Sequence, residues 1–153
     1  MPSSIKEVTM LVRMSSKEVA EQWDAFKVAI QSLMPADESN KEEQLNNLLV
    51  QITNNKMQCW TVTIDGKIKA ALTTIIVYDP TGQRNLLVYS LFGYAPVSMD
   101  QWLEAFYELE RWGKSRGCSA ITAYTDNPRV TNILKRVGAK MQVYASYKIR
   151  EEA

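Results

Sequence analysis

The sequence predicts an α/β (α+β) fold in which helices cover both faces of a mixed central sheet. First, two strand-like runs, 57–64 and 67–78, are joined by Asp65-Gly66, a residue pair that tight hairpin turns prefer. Second, two segments before this hairpin repeat apolar residues every three or four positions, as amphipathic helices do. Third, helical and strand-like patterns alternate after Gly93. The predicted order is β-α-α-β-β-β-α-β-α-β.

The first part of the chain is predicted to form one strand and two helices. Residues 6–13 are rich in β-branched and apolar side chains, which favours a strand. A serine pair at 15–16 can then cap an amphipathic helix over 16–33. The polar stretch that follows leads into a second helix over 41–53, which the asparagine pair at 54–55 ends.

The hairpin is predicted to continue into a third strand and then a long helix. The third strand covers 85–92, after a turn at 79–82. Ser98 with Gln101 three residues later has the spacing of a capping box, which indicates that a helix begins there. That helix is expected to end at the Arg-Gly pair 116–117.

The last part of the chain is predicted to be strand, helix and strand. Residues 118–125 form a short continuous apolar run, typical of a buried parallel strand. Asn127 can start a helix that ends at Gly138, because glycine adopts the left-handed conformation common after a helix. Residues 141–149 are expected to form the final strand.

Size and charge favour a single domain over residues 1–153. The chain is 46% hydrophobic and 23% charged, which suits one core. Lys and Arg number 18 against 17 Asp and Glu, so charge gives no reason to expect nucleic acid. No apolar stretch approaches the roughly 20 residues of a membrane helix. We therefore expect a cytoplasmic protein with neither nucleic acid nor membrane as partner.

The histidine and cysteine content limits the available chemistry. The chain has no histidine, which removes Ser-His and Cys-His nucleophilic pairs and His-based metal sites. Its two cysteines, Cys59 and Cys118, lie far apart in apolar strand-like segments. We expect both thiols to be reduced and buried, and we expect no metal.

The segment NPRVTNILKRVGAK aligns without gaps to a late pattern, N-x-x-A-x-x-L-Y-x-x-x-G-F, of the GNAT acetyltransferases. The residues at its marked positions are Asn127, Val130, Ile133, Leu134, Gly138 and Ala139. The predicted element order is also similar to that family over nearly the whole chain. The resemblance implies a GNAT-like domain and, where the chemistry is kept, acetyl transfer from acetyl-CoA to an amine.

One departure from the family concerns the cofactor. In GNAT enzymes a glycine-rich turn, Q/R-x-x-G-x-G/A, and the helix after it hold the acyl-CoA pyrophosphate through backbone N–H groups. The matching segment here is GYAPVSMDQW, in which Pro96 lacks an amide donor and Asp100 adds a negative charge. The resemblance implies that any cofactor contacts come from Val97, Ser98, Met99, Asp100, Gln101 and Asn127.

A second departure concerns the proton donor. Leu134 stands where the family commonly has the tyrosine that protonates the departing thiolate, and leucine cannot donate a proton. The polar groups that the resemblance places near the cleft are Tyr89, on the strand that splays, and Tyr124 and Asp126 at the end of the next strand. These three are the catalytic candidates. The alternative is that the tyrosines are half-buried strand aromatics and Asp126 is a helix cap.

Two functional hypotheses follow. The run ELERW at 108–112 with Gly117-Cys118 resembles small GNAT-like domains encoded by tailed bacteriophages, some of which are virion proteins and others acetyltransferases. The first hypothesis is a non-catalytic binding or assembly protein with a protein partner or self-association, located in the phage particle if virion-associated. The second is an acetyl-CoA-dependent N-acetyltransferase.

Overall fold

The computed structural model describes residues 7–32, 41–125 and 127–152. The elements in chain order are β1 Thr9–Met14, α1 Ser16–Glu21, α2 Trp23–Ser32, α3 Lys41–Thr53, β2 Met57–Ile64, β3 Lys67–Tyr78, β4 Arg84–Gly93, α4 Met99–Ser115, β5 Ala120–Ala123 and α5 Pro128–Arg136. The chain divides into two compact units, one that ends at Ala123 and one that begins at Tyr124. The sheet and α1 to α4 belong to the first unit, and α5 belongs to the second.

The five strands form one mixed sheet in the order β1-β2-β3-β4-β5. The first four pair antiparallel, whereas β5 pairs parallel with β4. The predicted hairpin is confirmed: Asp65 has φ 51° and Gly66 has φ 80°, the pair of positive values that a tight turn between twisted strands requires. The predicted mixed-sheet fold class is therefore confirmed.

Helices lie on both faces of the sheet. Successive strand residues point to opposite faces, so Cys59 and Trp60 of β2 face different layers. Cys59 is buried in a cluster with Val19 of α1, Phe26 of α2 and other side chains of α1 to α3. Trp60 instead contacts α4, where its ring meets that of Trp112 edge to face at 5.0 Å between centroids. The sheet thus separates a three-helix layer from α4.

The helix predicted over 16–33 is interrupted, and the prediction of one continuous helix was wrong. Gln22 has φ −108° and ψ 20° and lies between α1 and α2, donating its N–H to carbonyls of α1. The apolar spacing nonetheless holds, because Val19 and Phe26 reach the same buried cluster from the two short helices. Leu33 lies outside the described residues.

A buried hydrogen-bonded chain ties β2 to β3. The indole N–H of Trp60 donates to the Thr74 hydroxyl at 2.9 Å, and that hydroxyl donates to the side-chain carbonyl of Gln58 at 2.8 Å. Thr74 is fully buried and Gln58 is 5% exposed. Both buried polar groups are satisfied by this chain, so it contributes to stability rather than opposing it.

The free edge of β1 is contacted by α4. The backbone N–H of Leu11 donates to a carboxylate oxygen of Glu108 at 2.9 Å. Further along α4, Gly113 lies so close to β4 that a Cβ there would be 3.3 Å from the Leu86 side chain. The long helix is therefore held against the sheet by a polar contact at one strand and by close packing at another.

The last predicted strand, over 141–149, is not formed, and that prediction was wrong. These residues are exposed and lie outside the helices and strands. Their alternation of apolar and polar side chains is typical of a strand, but a strand requires hydrogen bonds to a neighbour and none joins these residues to another segment of the described chain. The helix before them was predicted correctly, since Asn127 caps α5 and Gly138 follows it with φ 81°.

The cysteine prediction is confirmed in part. Both thiols are free, but only Cys59 is buried, while Cys118 is half-buried in the turn before β5. Within the described residues no three His, Cys, Asp or Glu side chains come together as a metal-binding group. None of the helices in that part of the chain has the length and hydropathy needed to cross a bilayer.

Candidate functional site

The parallel strand β5 pairs with only the first part of β4. Their pairing runs from Asn85 opposite Ala120 to Val88 opposite Ala123. Beyond Val88, strand β4 continues to Gly93 without a parallel partner among the described residues. The last part of β4 therefore extends past the carboxyl end of β5.

Tyr89 is the first residue of β4 beyond its pairing with β5. On its other edge β4 pairs with β3, and the register shifts because Thr74 pairs with Val88 whereas Thr73 pairs with Ser90. Tyr89 is the extra residue in this bulge, and a bulge bends and twists a strand. Its side chain is 53% exposed. That Tyr89 lies where the strand splays and that it is catalytic both stay predictions.

The turn between β4 and α4 presents few free amides. The N–H groups of Tyr94 and Ala95 both donate to the carbonyl of Lys69 on β3, at 2.8 and 3.2 Å. Pro96 has no N–H. The predicted capping box is confirmed: Ser98 N–H donates to Gln101 Oε1 at 2.9 Å, and Gln101 N–H donates to Ser98 Oγ at 3.2 Å.

Three backbone amides remain at this helix start. Within the described part of the chain, the N–H groups of Val97, Met99 and Asp100 have no acceptor. They lie at the positive end of the α4 dipole, a favourable place for an anion. Of the five residues from 97 to 101 expected to hold a cofactor, Ser98 and Gln101 thus use their amides within the protein.

A carboxylate already lies at the same helix end. The side-chain amide of Gln101 donates to a carboxylate oxygen of Glu7 at 2.7 Å. Beside this contact is a groove of about 260 Å³ lined by Glu7, Ile64, Asp65, Lys67, Lys69, Pro96 and Gln101. Sequence reasoning missed Glu7, because nothing in the local pattern connects it to a helix that begins 92 positions later.

The remaining predicted site residues belong to the second unit. Tyr124 is 65% exposed, and its ring stacks on that of Tyr144 with 4.5 Å between centroids. Asn127 caps α5, accepting the Arg129 N–H at 2.9 Å through its side-chain oxygen. Asp126 lies outside the described residues. The roles of all three stay predictions.

Cys59 is not available as a nucleophile. Burial raises the pKa of its thiol to about 11, so the thiol is protonated at neutral pH. Burial also raises the pKa of the Tyr94 phenol, and nearby Cys59 adds to that shift. Neither group can therefore supply a negative charge near pH 7.

Comparison with solved structures decides the fold. A probable acetyltransferase superimposes with a TM-score of 0.68 at 8% identity, covering 92% of this chain and 97% of that one. The chain has a GNAT-superfamily fold. An aminoglycoside N-acetyltransferase in complex with CoA gives 0.66 at 11% identity, covering 98% and 99%. A ribosomal-protein-alanine N-acetyltransferase from Brucella melitensis biovar Abortus 2308 gives 0.65 at 14% identity, covering 94% and 99%. Neither a family model nor a curated protein sequence matches the chain.

The similarity covers nearly the full length of the chain and of these structures. At this level of identity it establishes the fold and not the activity. Any function therefore depends on the side chains around Tyr89 and at the start of α4.

Proposed function

We propose that this chain is a binding protein built on the GNAT scaffold, without efficient acyl-CoA chemistry. The supporting observation is at the start of α4, where the capping box of Ser98 and Gln101 engages two amides and Gln101 holds the carboxylate of Glu7. The positive helix end is thus partly neutralised by the protein's own groups.

The charges at this helix end also oppose an anionic cofactor. A pyrophosphate bound to the free amides of Val97, Met99 and Asp100 would lie near the carboxylates of Glu7 and Asp100. Each helix-end charge contributes about 0.3–1 kcal/mol, so like charges here weaken anion binding by a similar amount. The residues present therefore fit the pyrophosphate of CoA poorly. Leu134 adds to this conclusion because it cannot act as an acid.

Acetyl-CoA titration followed by melting temperature tests the proposal. The wild-type protein should show no concentration-dependent rise in melting temperature up to millimolar acetyl-CoA, because a competent site would stabilise the folded state by RT ln(1 + [L]/Kd). The triple variant Glu7→Gln, Ser98→Gly, Gln101→Ala frees both capped amides and removes one negative charge. This variant should gain a concentration-dependent rise in melting temperature.

A matched control is available at another helix. The start of α1 has the same type of capping box, formed by Ser15 and Glu18. The double variant Ser15→Gly, Glu18→Ala should lose helix stability without gaining any response to acetyl-CoA. Saturable binding of acetyl-CoA by the wild-type protein at micromolar concentration would overturn the proposal.

A second candidate function is an acetyl-CoA-dependent N-acetyltransferase. The observations that favour it are the part of β4 beyond its pairing with β5, with Tyr89 in the bulge, and the three free amides at the start of α4. Two solved structures with the same fold contain CoA or a CoA conjugate. In this case Tyr124 or a water molecule would replace the missing acid. Release of free thiol from acetyl-CoA that depends on a primary amine and is lost in Tyr89→Phe would support it.

Exposed apolar residues support a protein partner or a second copy of the chain. Met10 lies opposite Thr63, which lies opposite Ile68, so these side chains share one face of the sheet. Met10 is 52% and Ile68 50% exposed. Surfaces of this kind favour association.

Within this proposal, the protein takes part in the assembly of a tailed phage particle, as the sequence resemblance suggests. The alternative location is the cytoplasm.

Light scattering on a sizing column tests this association. A wild-type mass above that of one chain that falls to the monomer in Met10→Lys would support self-association through this face. The control is Val28→Lys, which changes an exposed apolar side chain on α2 instead. A monomeric wild-type protein would exclude self-association and leave a different protein as the partner.

A further inference from the structure

Residues 141–149, with the sequence MQVYASYKI, alternate apolar and polar side chains but belong to no strand. We call this stretch the alternating segment. Its odd-numbered residues are all apolar or aromatic, and among them Val143 is 97% and Ile149 80% exposed. On the even-numbered side, Tyr144 stacks on Tyr124 with 4.5 Å between ring centroids. In an extended chain the odd-numbered side chains share one side, and a continuous exposed apolar surface of this kind indicates an interaction site.

The backbone of the alternating segment is also unpaired. Within the described part of the chain, its N–H and C=O groups have no backbone hydrogen-bond partner. The segment contains neither proline nor glycine, and none of its residues has a positive φ. Every residue can therefore donate and accept in a strand ladder. What the segment lacks is a neighbouring strand.

The outer strands of the sheet match the alternating segment poorly. Strand β5, Ala120–Ala123, has four residues and so could pair with less than half of the segment. On β1, the carboxylate of Glu108 already occupies the Leu11 N–H. A partner of equal length and matching pattern is the same segment in a second copy of the chain.

The side chains of the segment are arranged symmetrically about Ala145. In an antiparallel pair centred there, Met141 lies opposite Ile149 of the other copy, and Val143 lies opposite Tyr147. Pairs of an aromatic with a β-branched side chain are among those that stabilise antiparallel strands. The even-numbered pairs are Gln142 with Lys148 and Tyr144 with Ser146. Apolar residues thus meet apolar residues along the whole segment, and no like charges face each other within it.

The residues at the ends of the segment favour this register over its neighbours. Centring the pair one residue earlier puts Lys140 opposite Lys148, which is repulsive. Centring it one residue later puts the charged Glu151 opposite Met141 in the apolar row. Half-step registers place apolar opposite polar side chains throughout. In the favoured register the like charges of Lys140 and Arg150 face each other just outside the segment, which limits the ladder to 141–149.

We propose that two copies of the chain associate by antiparallel pairing of their alternating segments about Ala145. Each contact is repeated by symmetry, so the association closes at a dimer. Because two strands alone are only marginally stable, we expect this dimer to dissociate on dilution. The surface is separate from that of Met10 and Ile68. The pairing also does not depend on the proposed lack of acyl-CoA chemistry, so acetyl-CoA binding by the wild-type protein would leave it standing.

Cysteine cross-linking tests the register. In a Cys118→Ser background, Ala145→Cys should form a disulfide-linked dimer in air, because the two residues at this position face each other. Val143→Cys and Tyr147→Cys should each cross-link roughly tenfold more slowly, since strand geometry separates the two copies of each residue by about 14 Å. An equal mixture of these two proteins should cross-link readily, because position 143 faces position 147. Equal cross-linking at 143, 145 and 147 in the separate proteins would overturn the proposal.

Light scattering on a sizing column provides a second measurement. Val143→Asp puts a charge into the apolar row and should raise the dissociation constant of the dimer at least tenfold. The matched control is Gln142→Asp, which adds the same charge opposite Lys148 and should not weaken the dimer. Equal melting temperatures of diluted samples would show that both variants fold. A wild-type protein that stays monomeric, or a dimer that survives Val143→Asp but is lost in Met10→Lys, would overturn the proposal.

Discussion

The side-chain amide of Gln101 donates a 2.7 Å hydrogen bond to a carboxylate oxygen of Glu7, 94 residues earlier in the chain. The contact joins the residues just before β1 to the start of α4. It also places a negative charge at the positive end of the helix, which stabilises the helix by about 0.3–1 kcal/mol. One contact therefore favours the folded protein while opposing an anionic ligand at the same position.

Replacing Ser98 with alanine should destabilise the protein by about 1 kcal/mol, because the Gln101 N–H loses its acceptor at the helix start. Urea unfolding measures the change. The control is Ser115→Ala, at the other end of α4, where the hydroxyl donates to a carbonyl that already has a backbone donor. Equal losses in the two variants would contradict a capping role for Ser98.

Replacing Thr74 with valine should cost about 2 kcal/mol, because it keeps the shape but leaves the Trp60 N–H without an acceptor and removes the hydroxyl donor to Gln58. Urea unfolding again provides the free energy, and the Trp60 indole resonance should move. Thr63→Val is the matched control, since its hydroxyl makes an exposed 3.4 Å contact with the Met10 carbonyl. A change in Thr74→Val no larger than in the control would refute the prediction.

Replacing Gly113 with alanine should destabilise the protein by about 1 kcal/mol. Alanine favours a helix by about 1 kcal/mol over glycine, but overpacking costs about 1–3 kcal/mol. The added methyl would lie 3.3 Å from Leu86 Cδ2, and Leu86 is fully buried and has little room to move. Adding Leu86→Ala to Gly113→Ala should reduce the penalty of the glycine change. An increase in stability on Gly113→Ala alone would show that the helix can shift.

Stability should fall in alkaline solution partly because of Cys59. The pKa of its thiol rises from 9.0 to about 11 in the folded protein, so the unfolded chain loses this proton first as pH increases. The contribution is fully present below pH 9 and declines by about 2–3 kcal/mol as pH approaches 11. Unfolding free energies at several pH values, compared between wild type and Cys59→Ala, isolate this thiol. Parallel pH profiles for the two proteins would exclude it.

Local sequence patterns predicted most of the fold because the turns and helix ends that they indicate depend on neighbouring residues. The Asp65-Gly66 turn depends on two backbone conformations, and the capping box at Ser98 depends on residues three apart. The break at Gln22 was missed because its neighbours keep the apolar period of a continuous helix. The segment 141–149 was assigned to a strand from alternation alone, which cannot supply a hydrogen-bonding neighbour.

The candidate sites were less predictable, because they depend on contacts between distant segments. Glu7 meets Gln101 only after the sheet and α4 have packed. The resemblance pointed to the region around 97–101 and to Tyr89, and the functional role of both stays a prediction. It could not show that the protein's own side chains take two of the amides in that region.

The contact between Leu11 N–H and Glu108 has a consequence for solubility. An outer strand with free backbone amides invites a strand from another molecule, and this is a common start of aggregation. A carboxylate of α4 occupies the Leu11 amide, so an incoming strand would have to displace this charged acceptor before its own carbonyl could pair there. This contact makes pairing at Leu11 on the β1 edge less favourable, so α4 both packs on the sheet and protects part of its edge.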